Sequence, residues 1–142
     1  MFNTVIWATD ASEAAEAALP FARELVEDSG GTLIVVHSKE TPELDALIES
    51  EVEELREHGI DAVCKLVNQA AGTPAEAIAE VASAFEADVI VVGTRGHGPV
   101  VGAVVGSVTQ QLLHLAPCPV LAVPPAMRWL ESRARAGAVT TV

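Results

Sequence analysis

The chain has 142 residues, half of them hydrophobic and 4% aromatic, with 8 Lys+Arg against 20 Asp+Glu for a formal net charge of -12. That length fits one domain, with enough apolar material for a core built on alanine and valine. The charge excludes a generic nucleic-acid binder, which needs a basic stripe, and disfavours docking on an anionic membrane. A phosphate ligand stays open, because backbone N–H groups supply local positive potential.

The start, MFNTVIWATD, has no basic n-region, and no apolar stretch reaches about 20 residues. Neither a signal peptide nor a transmembrane helix is expected. Cys64 and Cys118 lack metal-ligand spacing, so a reduced, cytoplasmic protein with no metal site is the simplest reading.

Thr4 to Thr9 is a short apolar run ended by Asp10-Ala11-Ser12 and reads as a buried strand. Ala15, Ala18, Leu19, Ala22, Leu25 and Val26 then recur at helical spacing up to Gly30-Gly31. Thr32 to His37 is a second strand. Thr41-Pro42-Glu43 opens the second helix with a cap, a proline in the first turn and an acid. That helix is strongly acidic between Glu40 and Glu57, which reads as a solvated outer face. Ile60 to Val67 is a weaker third strand. Thr73-Pro74-Ala75-Glu76 has the form of a capping box, followed by a stripe of Ile78, Val81, Ala82 and Phe85. Asp88 leads into Val89-Ile90-Val91-Val92, continuous rather than alternating, as in strands covered on both faces. Val108, Leu112 and Leu115 mark a fourth helix, closed by Pro117-Cys118-Pro119. Val120 to Val123 is the fifth strand, stopped by Pro124-Pro125.

The alternation predicts a single-domain, doubly wound α/β fold with a five-stranded parallel sheet and four helices, Rossmann-like, over residues 1–125. Residues 126–142 read as a C-terminal tail.

The fourth strand runs directly into Gly93-Thr94-Arg95-Gly96-His97-Gly98-Pro99, and the next helix starts near Gly106-Ser107. Ligands of open parallel sheets bind at the carboxyl ends of strands, where a helix N-terminus presents unpaired N–H groups. Glycines allow close backbone approach, and Arg95 and His97 add positive or potentially positive side chains. The combination suits a polyphosphate. Shorter motifs nested here fail. Gly96-His97-Gly98 has no third glycine at the dinucleotide spacing, and Gly106-Ser107 has no intervening lysine for a Walker A loop. Gly98, Gly102 and Gly106 sit in no membrane-length span.

The spacing that fits is longer: Gly93-x2-Gly96-x9-Gly106-Ser107. It resembles the G-2x-G-9x-G-(S/T) pattern of the nucleotide-binding universal stress proteins. The resemblance covers roughly residues 2 to 124, about 85% of the chain. It takes in Thr9-Asp10-Ala11-Ser12, Val35-Val36-His37-Ser38, Gly72-Thr73-Pro74, Gly106-Ser107-Val108-Thr109 and Cys118-Pro119-Val120-Leu121-Ala122-Val123.

The resemblance implies strand order 3-2-1-4-5 and a crevice between strands 1 and 4. It places Asp10 near the ribose and base, Ala8 and Thr9 on the floor, and His37 and Ser38 at adenine, mainly through backbone groups. Gly93, Thr94, Arg95, Gly96 and His97 would wrap the ribose and phosphates. Gly106, Ser107, Val108 and Thr109 would cap the phosphates with N–H and hydroxyl groups. ATP is the implied ligand, possible with Mg²⁺, and AMP or ADP are alternatives. A homodimer through the Val120–Val123 edge strand is implied as well. Each assignment has a structural rival. Asp10 and Ser12 could cap the first helix, Ser107 with Gln110 could form a capping box, and His37 could be a packed histidine. The segment Pro99 to Val105 departs from a charge-based grip on a γ-phosphate, because it carries no lysine.

Three functions compete. The first is an ATP-binding stress-response module that uses nucleotide as a conformational ligand, with at most slow hydrolysis. The second is a Mg-dependent ATPase or nucleotide-transferring enzyme, for which Asp10 is the single carboxylate expected near the crevice, too little to name a catalytic residue. The third is a nucleotide-free dimeric interaction module, against which the intact glycine pattern speaks.

Overall fold

The computed structural model describes residues 2–68, 72–94 and 106–124. In chain order these form β1 (Thr4–Ala8), α1 (Glu13–Ser29), β2 (Thr32–Ser38), α2 (Pro42–Glu57), β3 (Asp61–Val67), α3 (Pro74–Ala84), β4 (Val89–Gly93), α4 (Ser107–Leu115) and β5 (Val120–Val123). The expected tail, 126–142, lies outside the described residues.

All five strands are parallel, in the order β3-β2-β1-β4-β5. The register follows the apolar runs: Trp7 lies beside Val35 on one side and Val91 on the other. Asp88 fixes the start of this register, accepting the N–H groups of Asn3 and Thr4 at 2.8 and 2.9 Å. Side chains alternate between two cores. Val5, Trp7, Leu33, Val35, Val89 and Val91 pack under α1 and α2; Ile6, Ala8, Ile34, Val36, Ile90 and Val92 pack under α3 and α4. Burial on both faces is why these strands read as continuous rather than alternating.

The helix starts follow their capping residues. Ser12, Thr41 and Thr73 accept the N–H groups of Ala15, Leu44 and Glu76. α1 stops at Gly30, whose φ of 71° is the left-handed conformation that glycine adopts at no steric cost. The buried Trp7 indole donates to the Ala15 carbonyl at 2.9 Å and ties α1 to β1.

Two stripes are shorter than their periodicity implies. Phe85 is 41% exposed, and Leu115 is 46% exposed. Each lies at the carboxyl end of its helix, beyond the last buried residue, Ala82 or Leu112. Lys65 covers Phe85 instead, with Nζ 5.0 Å from the ring centroid. The acidic helix α2 is mostly solvated, but Glu51 is half-buried. Burial first, then a hydrogen bond and like charge from Glu16 and the charge of Glu54, push its carboxyl from 4.5 up to about 8.

Gly93 is a packing glycine. A Cβ there would stand 2.5 Å from the Ala14 carbonyl oxygen and 2.6 Å from its carbon, both backbone atoms that cannot yield cheaply.

Two outcomes follow. Gly93→Ala should cost about 2 kcal/mol of stability, read as a lower urea midpoint at unchanged slope; an unchanged midpoint contradicts the close approach. Glu51 holds its proton more tightly folded than unfolded, so its contribution is complete below the unfolded value and is lost as pH rises through about 8. After allowance for solvent screening the loss is on the order of 1 kcal/mol. Glu51→Gln should therefore melt about 3 °C above the parent at pH 9 and together with it at pH 5; coincident melting at both contradicts the assignment.

Candidate functional site

The strand order reverses between β1 and β4, the place where a parallel sheet offers a crevice at its carboxyl ends. On the β1 side, Ala8 and Thr9 are buried and Asp10 is half-buried. Thr9 N–H donates to the Val36 carbonyl at 3.0 Å, carrying the β1–β2 pairing one residue further. Thr9 Oγ1 then accepts the Ala11 N–H at 3.0 Å, Asp10 Oδ1 accepts the Ser12 N–H at 2.9 Å, and Ser12 Oγ accepts the Ala15 N–H at 3.2 Å. This turn holds Ala11 at φ 65°, a left-handed conformation costing a residue with a Cβ about 1–2 kcal/mol. The cap of α1 is Ser12; Asp10 braces the turn before it.

On the β4 side, Gly93 and Thr94 bring four elements together. Gly93 lies against Ala14 of α1. Thr94 N–H donates to the Val123 carbonyl of β5 at 3.0 Å, and Gly106 N–H donates to the Thr94 carbonyl at 2.6 Å. The chain thus leaves at Thr94 and returns hydrogen-bonded to it at Gly106. Thr109, buried on α4, donates its hydroxyl to the Gly93 carbonyl at 3.0 Å. Its hydroxyl therefore belongs to the frame of the loop. Arg95, Gly96 and His97 lie outside the described residues.

The helix starts differ in electrostatics. α1 carries Glu13 and Glu16 in its first turn, α2 carries Glu43 and Asp45, and α3 carries Glu76; each also has a side-chain cap. α4 has no acid in its first turn. Its cap is Gly106, and among the described residues no side chain caps it. Ser107 is the first helical residue, so it does not form a capping box with Gln110. Gly106 and Gln110 are joined instead through the backbone, at 3.0 Å. The amide groups of Ser107 and Val108 thus head a helix whose positive end is not neutralised by its own sequence.

At the carboxyl end of β2, His37 is 1% exposed. Its Nδ1 lies 2.9 Å from the Thr9 carbonyl. A carbonyl only accepts, so Nδ1 carries the proton. The side chain is packed inward, and backbone atoms are what His37 offers to the crevice. Ser38 pairs with Val67 of β3 and is half-exposed. Sequence reasoning gave no sign of the left-handed Ala11, visible only in backbone conformation, or of Asp45 Oδ1 standing 3.4 Å from His37 Nε2, since Asp45 is one acid among many on α2.

Among the described residues no helix is long and apolar enough to cross a membrane, and no three His, Cys, Asp or Glu side chains are grouped to hold a metal ion.

Comparison with known proteins agrees with this geometry. The sequence model of the universal stress protein family matches residues 1–124. A universal stress protein in the QAH/OAS sulfhydrylase 3' region of Thermus aquaticus is 36% identical, over 87% of this chain and 99% of that protein. A universal stress protein solved in complex with cAMP superposes with a TM-score of 0.69 at 26% identity, over 86% of this chain and 96% of that one. The universal stress protein from Archaeoglobus fulgidus in complex with dAMP superposes with a TM-score of 0.63 at 27% identity, over 87% and 98%. With the family match spanning the whole five-stranded sheet, the chain belongs to the universal stress protein family.

Proposed function

We propose that the chain binds an adenine nucleotide, ATP foremost, in the crevice between β1 and β4, and uses it as a conformational ligand with at most slow hydrolysis. The observation that carries this reading is the start of α4, which among the described residues has neither a side-chain cap nor a first-turn acid, unlike α1, α2 and α3. Two relatives of the same fold were solved with cAMP and dAMP.

In this reading Ala8 and Thr9 form the floor, and Asp10 meets the ribose and base. His37 and Ser38 present backbone groups to adenine. Gly93 and Thr94 start the wrap around ribose and phosphates, continued by Arg95, Gly96 and His97. Gly106, Ser107, Val108 and Thr109 meet the phosphates, Thr109 through its amide because its hydroxyl is held by Gly93. AMP and ADP share the adenosine contacts, and Mg²⁺ would travel on the phosphates. Steady-state phosphate release separates the ligand role from an ATPase.

The assembly we propose is a homodimer through β5, which among the described residues pairs with β4 alone. Leu121 on that strand is 39% exposed, an apolar side chain at an edge that needs cover. The two thiols are free and at opposite sides of the sheet, which suits the reducing cytoplasm. Light scattering should give a dimer for the parent and a monomer for Leu121→Asp; a monomeric parent removes the dimer.

Proline at the first helical position keeps a helix intact but removes one N–H. Gly106, extended at φ -61° and ψ 158°, tolerates a following proline. Ser107→Pro should weaken ATP binding by more than tenfold at unchanged melting temperature. Ser107→Ala, which keeps the amide, should bind within about threefold of the parent. Calorimetric titration reads both. Equal binding by parent and Ser107→Pro contradicts the phosphate site.

A further inference from the structure

β3 lies at one end of the sheet: it pairs with β2, and among the described residues no strand lies on its other side. The Val67 carbonyl accepts the Lys39 N–H at 2.9 Å, so Val67 turns its peptide groups towards β2. Backbone groups alternate along a strand. Val63 and Lys65 therefore turn the same way as Val67, while Ala62, Cys64 and Leu66 turn their N–H and C=O groups outward. Such a row is a template for another strand. In β3 the row is obstructed. Arg56, in the last turn of α2, donates Nε to the outward carbonyl of Ala62 at 2.8 Å. Its Nη1 meets Glu53 Oε2 at 3.1 Å, which holds the guanidinium there.

We propose that β3 is a second strand-pairing edge of this protein, self-complementary with β3 of another copy of the chain, and that the Arg56 guanidinium keeps it shut. In the two-fold antiparallel register that uses all seven residues of β3, Cys64 faces its own counterpart and Ala62 faces Leu66 of the other copy. Outward groups thus meet outward groups. No like charges are opposed, because Lys65 comes opposite Val63 and Asp61 opposite Val67. Residues opposed in this way exchange both of their hydrogen bonds. The Ala62 carbonyl would have to receive the Leu66 N–H, but Arg56 already holds it. Two-fold symmetry puts one guanidinium across each end of the ladder.

The lock has a consequence for assembly that rests on the dimer proposed above; the lock itself does not. A dimer through β5 leaves a β3 edge at each outer end. Self-pairing at both kinds of edge does not close, and copies would add in an open row.

Substitutions at Arg56 separate the hydrogen bond from the charge. Arg56→Gln keeps an N–H donor the same number of bonds from the backbone as Nε. Arg56→Met and Arg56→Ala keep good helix formers and remove the donor. All three remove the same charge. Light scattering on the full chain at matched concentration should give Arg56→Met and Arg56→Ala a mean mass at least about twice that of the parent, and Arg56→Gln the parental mass. In the associated variants the Cys64 and Leu66 amides should exchange with solvent about tenfold slower than in the parent, with Val63 and Lys65 unchanged. Parental mass in both Arg56→Met and Arg56→Ala overturns the lock, whatever their melting temperatures. Growth of Arg56→Gln alongside them overturns it too, as does growth that leaves the Cys64 and Leu66 amides exchanging as fast as before. A monomeric parent whose Arg56→Ala variant stops at two copies, with those amides slowed, removes the β5 dimer and supports the lock.

Discussion

The close approach of Gly93 to the Ala14 carbonyl is the constraint on which the site depends. With no Cβ, the end of β4 settles onto the first turn of α1. From that fixed point its carbonyl takes the Thr109 hydroxyl of α4, and Thr94 takes β5 through Val123 and the returning chain through Gly106. Each bond alone is worth on the order of 1 kcal/mol. Jointly they set where the amide end of α4 stands relative to the crevice between β1 and β4. The glycine spacing therefore works at two levels: Gly93 is needed for packing whether or not a ligand is present, and Gly106 opens the helix without adding a competing cap.

For a chain of net charge -12 to take an anion, as we propose, it must keep its own carboxylates away from one positive helix end. Acids near a helix start contribute about 0.3–1 kcal/mol each. Three of the four helices use that gain internally, with Glu13 and Glu16, Glu43 and Asp45, and Glu76. The fourth has no acid in its first turn, and it follows β4, where the strand order switches. The acids elsewhere are not inert: Glu16 and Glu51 meet between α1 and α2, where burial first and then the Glu16 carboxyl push the Glu51 carboxyl up.

Much of this was legible before any coordinates. Continuous runs such as Val89 to Val92 marked strands buried on both faces, and Thr41-Pro42 and Thr73-Pro74 marked helix starts at the right residues. Gly93 closes β4 and Gly106 opens α4 as the spacing placed them, while Gly96 lies outside the described residues. Periodicity could not tell that Phe85 and Leu115 lie past the covered part of their helices, since a stripe carries no information on where cover ends. Ser107-x2-Gln110 looks like a capping box in sequence, but Gly106 takes the cap because the extended turn falls one residue earlier. The inward packing of His37 on the Thr9 carbonyl, and its meeting with Asp45, arise from strand register and helix docking, which no local pattern encodes.

The start of α4, we propose, receives the phosphates of a nucleotide. Amide shifts followed during ATP titration of the isotopically labelled chain test it most directly. The account predicts the largest shifts at Ser107 and Val108, with Thr9, Asp10 and Thr94 next, while Leu44 and Glu76 at the capped starts of α2 and α3 stay still. Saturating ATP that leaves Ser107 and Val108 unmoved, or that moves the start of α2 or α3 instead, would contradict it.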